Sequence, residues 1–134
     1  MKRVVVITGA GGVLCSGFAR ALAARGDVLA LLDRNAEAVA RVADEINADG
    51  GRAAAYTVDV LDKAALEAVH TRITQELGPC TVLINGAGGN SPRCTTAHET
   101  FQPGDETAEG LSTFFNLDKA GFDFVFDLNL MGTL

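Results

Sequence analysis

Residues 4–17, VVVITGAGGVLCSG, decide the fold of this protein. Val4–Thr8 is a short β-branched apolar run, which is typical of a buried strand. Glycines follow at once, and a helical stretch is predicted over about 15–25. A strand that turns through glycines into a helix is the first half of a βαβ unit, and the free N–H groups of such a helix point at the turn.

The same alternation of strand and helix continues along most of the chain. Further strands are predicted at 28–32, 53–58 and 81–84, and helices are predicted after the capping residues Asn35 and Asp62. Short connections in such an alternation require parallel strands with right-handed crossovers. Strands that are apolar throughout are expected in a sheet covered on both faces. The sequence therefore predicts the α/β class, with a doubly wound parallel sheet.

The composition then changes, and residues 86–117 are rich in Gly, Ser, Thr, Pro and Asn. We expect a long loop at about 89–117, with only a weak element around 111–115. A loop of this length in a compact domain is usually functional or disordered. A last helix is predicted from about Asp118 to the end of the chain. It is apolar nearly all round, so we expect it to be buried on more than one side.

Composition and charge exclude several classes of function. The 134 residues suffice for one domain, and the net charge of −6 makes nucleic acid a poor partner. No apolar run approaches the roughly 20 residues of a membrane span. The run behind the N-terminal charges is too short for a signal peptide, so we expect a cytoplasmic protein. Three scattered cysteines and two distant histidines predict neither disulfides nor a metal site.

The first glycine-rich turn is a candidate nucleotide site. Its glycines let the backbone approach a pyrophosphate, and the helix N-terminus offers N–H groups and a partial positive charge. A plain glycine turn is the alternative, but the position between a first strand and a first helix favours binding. The expected cofactor contacts here are Thr8, Gly9, Gly11, Gly12, Val13 and Leu14.

Asp33 ends the second predicted strand and is the candidate that selects the cofactor. A carboxylate there can accept hydrogen bonds from both ribose hydroxyls of the adenosine half, and it repels the extra phosphate of NADP. Arg34 beside it can accommodate that phosphate, so NADP is the alternative to the favoured NAD. In the structural alternative, Asp33 merely ends a strand and helps to start the next helix.

Two later strand ends carry further candidates. Asp59 follows the third strand, where it can reach the adenine amino group with help from the Val60 backbone. Asn85-Gly86-Ala87-Gly88 follows the fourth strand, and its small residues leave room for a cofactor ribose. A strand terminator and a flexible exit from the sheet are the respective alternatives.

Taken in order, these features resemble the classical short-chain dehydrogenases/reductases over the whole chain. The run Thr8-Gly9…Gly12 is similar to their TGxxxGxG turn, and Asn85-Gly86-Ala87-Gly88 is similar to their NNAG motif. The resemblance implies a Rossmann-type fold in which Asp33 selects NAD and Asp59 contacts adenine. It also implies that Asn129 is the helix-four Asn of the catalytic tetrad, which holds a water in the proton relay.

The motifs depart from the family pattern at two places. In strict register the second glycine of the turn falls at Val13, with Gly12 one residue early, and the third falls at Cys15. The third glycine permits tight helix–strand packing, which a small Cys also allows. The second position of NNAG is Gly86 rather than Asn. Both changes remain compatible with nucleotide binding.

A narrower resemblance is to the sugar-acid branch of the family, the D-mannonate oxidoreductases (fructuronate reductases). The variant glycine turn, the run 85–90 and the ending around Asn129 carry it. It implies hydride transfer to or from a sugar acid or polyol, with D-mannonate and D-fructuronate favoured. A long loop over the active site would suit such a substrate, although a variable surface loop is the alternative. The loop residues that can meet a carboxylate and hydroxyls are Arg93, Thr95, Thr96 and His98.

In the family, a Ser and a Tyr-x-x-x-Lys do the acid–base work. The chain has one tyrosine, Tyr56, and the residue four positions on is Val60. We therefore expect 1–134 to be the N-terminal portion of a single dinucleotide-binding domain, truncated after the fourth strand and the following helix, and inactive alone. The exposed strand edge and apolar last helix predict that the isolated chain self-associates or is marginally stable.

The resemblance also implies that the full-length enzyme is a homo-oligomer that takes a small-molecule substrate. Two other functions stay open at this point. One is a non-catalytic NAD-binding or regulatory module, and the other is a structural role in which the glycine turn binds nothing.

Overall fold

The computed structural model of the protein describes residues 2–134. The chain forms two compact units, one that extends to Ala87 and one that begins at Gly88. Within residues 2–134, no helix combines the length and apolarity that crossing a membrane requires.

The first unit alternates strands and helices throughout. Its strands are β1 (Val4–Thr8), β2 (Val28–Asp33), β3 (Arg52–Thr57) and β4 (Val82–Asn85). Its helices are α1 (Val13–Ala24), α2 (Ala36–Ala48) and α3 (Lys63–Glu76). Asn35 and Asp62 cap α2 and α3 as predicted, through side-chain oxygens that accept from Ala38 N and Ala65 N.

The four strands form one parallel sheet in the order β3-β2-β1-β4. β1 lies between β2 and β4, so the direction of winding reverses at β1. Thr8 pairs with Leu32 on one side and with Asn85 on the other. All four strands therefore end at the same edge of the sheet, which is where open α/β sheets bind ligands. The predicted α/β class with a doubly wound parallel sheet is confirmed.

Alternate residues of the central strands build a core on each face of the sheet. Val5, Ile7, Leu29 and Leu31 pack on one face with the buried residues of α1 and α2. The other face carries a second cluster, which packs against Val69 and Ile73 of α3 and consists of Val4, Val6, Val28, Ala30, Leu32, Tyr56 and Val58. Burial of each large side chain contributes about 1.5–3 kcal/mol to stability.

The edge strands depart from the prediction of strands covered on both faces. β4 alternates half-buried and exposed residues, and Leu83 is 55% exposed. β4 pairs only with β1, so one side of its ladder stays open. The prediction of burial on both faces is right for β1 and β2 and wrong for β4.

The second unit contains α4 (Lys119–Asn129) and three short 3-10 turns, at Pro92–Cys94, Phe114–Asn116 and Met131–Thr133. The expected long loop at 89–117 is present, and the turn Phe114–Asn116 takes the place of its weak element. The last helix was predicted to run to the end of the chain, but α4 ends at Asn129. Only Gly121 of α4 is buried, and Phe126 is 62% exposed. The prediction that this helix is buried on more than one side is therefore wrong for this chain.

The pair of Arg3 and Asp27 makes folding sensitive to acid. Arg3 Nε and Nη2 donate to the two Asp27 oxygens at 2.9 and 2.6 Å, and the Asp27 side chain is almost fully buried. The hydrogen bond from Arg3 holds the pKa of Asp27 below its ordinary value of 3.8. The folded state therefore binds this proton less readily than the unfolded state, so the stabilisation is present above pH 3.8 and is lost as the pH falls further.

We expect Asp27→Asn to lower the melting temperature at neutral pH and to flatten the loss of stability below about pH 4. Asp44→Asn removes an exposed α2 carboxylate and should leave both unchanged. Thermal melts of the three proteins across acidic pH check this. The prediction would be contradicted if the melting temperatures of wild type and Asp27→Asn fall in parallel as the pH is lowered.

Candidate functional site

The carboxyl edge of the sheet brings several predicted residues into one place. Thr8, Asp33 and Asn85 end the neighbouring strands β1, β2 and β4. Asp59 follows the end of β3. These strands come from separate parts of the sequence, so the parallel pairing alone makes them neighbours.

The turn after β1 packs directly on the turn after β4. Gly9 has φ +66°, in the left-handed region that favours glycine. A Cβ atom at Gly9 would lie 2.8 Å from the Gly86 carbonyl group and from Ala87 N. The Ala10 N–H donates to Leu32 O at 3.0 Å and ties the same turn to β2. Glycine is therefore required at position 9 for two reasons, which are the left-handed backbone conformation and the close contact with the turn after β4.

The N-terminus of α1 differs from those of the other α-helices. Asn35, Asp62 and Asp118 cap α2, α3 and α4 through their side chains. α1 begins after Gly12, which is extended and offers no side-chain cap, and its first turn carries no acidic residue. Its first N–H groups thus remain available to an anion.

Two apolar residues open this helix and lie at the surface. Val13 and Leu14 are 92% and 75% exposed. Their exposure, together with the uncapped N–H groups, fits the approach of a dinucleotide pyrophosphate. Val13 occupies the strict register of the family's second glycine, but the chain turns at Gly9 to Gly12 and already begins α1 at Val13.

Asp33 joins the glycine turn to the start of α2. Its Oδ2 accepts from Gly11 N at 2.9 Å, and its Oδ1 accepts from Asn35 N at 2.9 Å. A Cβ at Gly11 would lie 2.8 Å from the Ala38 Cβ and 3.1 Å from this carboxylate. The structural role of Asp33 is thus present. Each oxygen has a second lone pair, so the carboxylate retains capacity for ribose hydroxyls.

Two charged side chains beside this site, Arg34 and Asp59, keep polar atoms that make no hydrogen bond with residues 2–134. Arg34 is exposed and makes no hydrogen bond or ion pair with residues 2–134. Asp59 Oδ1 accepts from Leu61 N at 2.9 Å, and its backbone carbonyl accepts from Asp62 N. Asp59 therefore shapes the turn that carries Val60 and leads into α3, and its second carboxylate oxygen remains free.

The Thr8 hydroxyl binds within the protein. It accepts from Gly86 N and Ala87 N, both at 3.1 Å, and Thr8 is buried. Thr8 is a predicted cofactor contact, and in the structure its oxygen also holds the turn after β4. Only pairing of β1 with β4, which the motif does not encode, creates this contact.

Asn129 fastens the glycines at the start of the second unit. Its Oδ1 accepts from Gly89 N at 3.1 Å, and its Nδ2 donates to Gly89 O at 2.7 Å and to Val125 O at 2.8 Å. A Cβ at Gly88 would lie 2.6 Å from the Asn129 Oδ1. Both Nδ2 hydrogens are thus used in positioning this segment, whereas Oδ1 accepts one bond and keeps a second lone pair.

The loop residues expected to meet substrate bind one another or their own loop. Arg93 donates to Asp118 Oδ2 at 2.7 Å. His98 Nδ1 lies 3.1 Å from Asp105, whose pKa is lowered first by a backbone hydrogen bond and then by His98. Thr95 and Thr96 donate to the carbonyl groups of Ser91 and His98. These side chains hold the loop together in the structure, and their contact with a substrate stays a prediction.

The second unit contains a cleft of about 440 Å³ lined by uncharged residues, among them Ser91, Thr95, Thr96 and Ser112. Across residues 2–134, no three His, Cys, Asp or Glu side chains cluster closely enough to hold a metal ion.

We expect Thr8→Val to destabilise the protein by about 1–2 kcal/mol, because two partly exposed N–H groups lose their acceptor. Thr8→Ser keeps the hydroxyl and should cost less. Thr57→Val, at the exposed end of β3, is the matched control and should change little. Urea unfolding measures all three. Equal free energies of unfolding for Thr8→Val and wild type would remove this role of the hydroxyl.

Comparisons with known proteins agree on one family. The short chain dehydrogenase model matches residues 3–134. An uncharacterized oxidoreductase of Haemophilus influenzae is 48% identical over 133 residues, which cover 99% of this chain and 46% of that protein. The uncharacterized oxidoreductase UxuB of Bacillus subtilis is 46% identical over 130 residues, which cover 97% and 45%. The chain thus spans less than half the length of these curated relatives.

A solved structure is also similar. It is a Haemophilus influenzae protein provisionally assigned as a D-mannonate oxidoreductase, with bound NAD. Its TM-score is 0.91 at 48% identity, and the match covers 97% of this chain and 46% of that one.

Proposed function

The chain belongs to the short-chain dehydrogenase family, and on this premise we propose that it is the nucleotide-binding portion of a NAD-dependent oxidoreductase. The observation that carries the proposal is the uncapped N-terminus of α1 beside the glycine turn. Neutral glycines and free N–H groups suit a pyrophosphate even in a protein of net charge −6, because the attraction is local.

Each expected contact has a distinct part in the proposed cofactor site. The glycine turn from Gly9 to Gly12 and the start of α1 would hold the pyrophosphate, and Asp33 would accept from the adenosine ribose. Asp59 and Val60 would lie near the adenine, and the segment 85–88 would lie near the second ribose. When bound, the nicotinamide would supply the hydride carrier. Thr8 would contribute to the cofactor site while its hydroxyl holds the turn after β4. In the whole protein, Asn129 would hold a water of the proton relay while it positions Gly89.

NAD is favoured over NADP because of charge. The Asp33 carboxylate ends β2, where it would meet the adenosine ribose and would repel an additional phosphate. The exposed Arg34 beside it could accommodate that phosphate, so NADP is the alternative.

For the whole protein we propose hydride transfer between this cofactor and a sugar acid or polyol, with D-mannonate and D-fructuronate favoured. Support comes from the Haemophilus influenzae structure of 48% identity and its provisional assignment. NAD reduction by the full-length protein, screened against D-mannonate and against polyols of the same carbon number, tests the substrate. Activity with polyols but not with D-mannonate would support an oxidoreductase of this class and contradict a sugar-acid substrate.

Cofactor binding by this chain is tested by NADH fluorescence, which is simple to interpret because the chain has no Trp. We expect wild type to bind NADH more tightly than NADPH. Asp33→Asn removes the charge and leaves one of the two backbone N–H groups without an acceptor, so both affinities should fall. The loss of charge should shift the ratio of the two dissociation constants toward NADPH by about tenfold or more. Asp44→Asn, on the exposed face of α2, should leave the ratio unchanged. No enhancement with either cofactor would count against the proposal.

We also propose that the protein is a homo-oligomer and that α4 contributes to the interface. Phe126 of α4, together with Leu130 and Met131 directly after it, is more than half exposed, and exposed apolar surface of this kind is typical of an interface. Phe126→Ser should reduce self-association measured by light scattering over a range of concentrations. Phe101→Ser, which removes an equally exposed ring outside α4, should not. A wild-type chain that stays monomeric throughout would contradict this role of α4.

A further inference from the structure

The first turn of α1 and the turn after β4 meet at a tight contact between Cys15 and Gly86. Cys15 is buried, with 7% of its surface exposed. A Cβ atom built on Gly86 would overlap the Cys15 Sγ, and it would lie 2.8 Å from the carbonyl oxygen of Thr8. The thiol therefore fills the space into which a side chain at position 86 would extend.

The sequence departs from the family motifs at these same two positions. Position 15 carries a Cys where the motif has a glycine, and position 86 carries a glycine where the motif has an Asn. One change adds a side chain and the other removes one, on opposite sides of a single contact. Close packing tolerates the first change only together with the second.

We infer that Cys15 and Gly86 form a reciprocal packing pair, and that Cys15 is a positioning residue for the proposed cofactor site. The effect on cofactor binding rests on the proposed function. The steric coupling of the two positions does not, because it follows from the geometry alone.

The contact reaches the proposed cofactor site through the backbone of the turn after β4. Gly86 N and Ala87 N donate to the Thr8 hydroxyl, and the Gly86 carbonyl lies against Gly9. A displaced Gly86 would lengthen both hydrogen bonds and shift this turn relative to the glycine turn.

The Cys15 thiol is suited to a packing role because it stays neutral. Burial, and then the nearby charge of Asp33, raise the pKa of the Cys15 thiol. An un-ionised buried thiol packs as a small apolar group.

The test is a double-mutant cycle with Gly86→Ala and Cys15→Ala, in which thermal melts and NADH dissociation constants are measured. With Cys15 present, we expect Gly86→Ala to lower the melting temperature and weaken NADH binding by about tenfold, or about 1.4 kcal/mol. In the Cys15→Ala background, the new methyl group occupies the space of the sulfur, so the loss should be clearly smaller. Some loss should remain, because the Thr8 carbonyl also contacts the new Cβ and cannot move away freely.

Two controls separate positioning from general stability. Gly17→Ala adds a methyl group on the same helix where nothing lies within 4 Å, so its effect should add to that of Cys15→Ala without coupling. Cys15→Ser keeps a smaller atom at the γ position and should bind NADH better than Cys15→Ala does.

Effects of Gly86→Ala that are equal in the wild-type and Cys15→Ala backgrounds would overturn the inference. If the effects of the two substitutions on the melting temperature are coupled but neither wild type nor any variant binds NADH, the result would support the packing pair and contradict the proposed function of this chain. If only the single variant Gly86→Ala is insoluble, its recovery by Cys15→Ala supports the pair. If both proteins that carry Gly86→Ala are insoluble, the NADH affinity of Cys15→Ala is the deciding measurement. An affinity equal to that of wild type would overturn the positioning role of Cys15. A weaker affinity in Cys15→Ala that is recovered in Cys15→Ser would support it.

Discussion

Parallel pairing of β1 with β2 on one side and with β4 on the other is the constraint on which the site depends. It places Thr8 between Leu32 and Asn85 in register. The turns after β1 and β4 then lie close enough that Gly9 has no room for a side chain. This pairing brings together, at one edge of the sheet, three features that are far apart in sequence: the glycine turn, the Asp33 carboxylate and the small-residue turn after β4.

The polar groups at that edge have a structural role as well as a proposed binding role. Asp33 accepts two backbone N–H groups, and the Thr8 hydroxyl accepts two others. Buried or half-buried acceptors of this kind fix the turns before any ligand arrives, which lowers the entropic cost of binding. Among the α-helices of residues 2–134, only α1 has no side-chain cap at its N-terminus, so it can take an external anion.

The second unit is held together by hydrogen bonds and ion pairs between its own residues. Asn129 binds Gly89 at both backbone atoms, Arg93 pairs with Asp118, and His98 pairs with Asp105. Such bonds involve residues that sequence reasoning assigned to substrate. A polar side chain in a long loop has the backbone of that loop as its nearest partner, so residue type alone does not distinguish the two roles.

The sequence by itself determined the strand and helix order, the caps at Asn35 and Asp62, and the glycine turn, because periodicity and capping are local properties. It did not determine that Thr8 would bind the turn after β4, nor that Cys15 would fill the space beside Gly86. It also predicted a more buried β4 and α4 than the structure has. Burial and contact between distant residues depend on which elements pack together, and only the tertiary structure decides that.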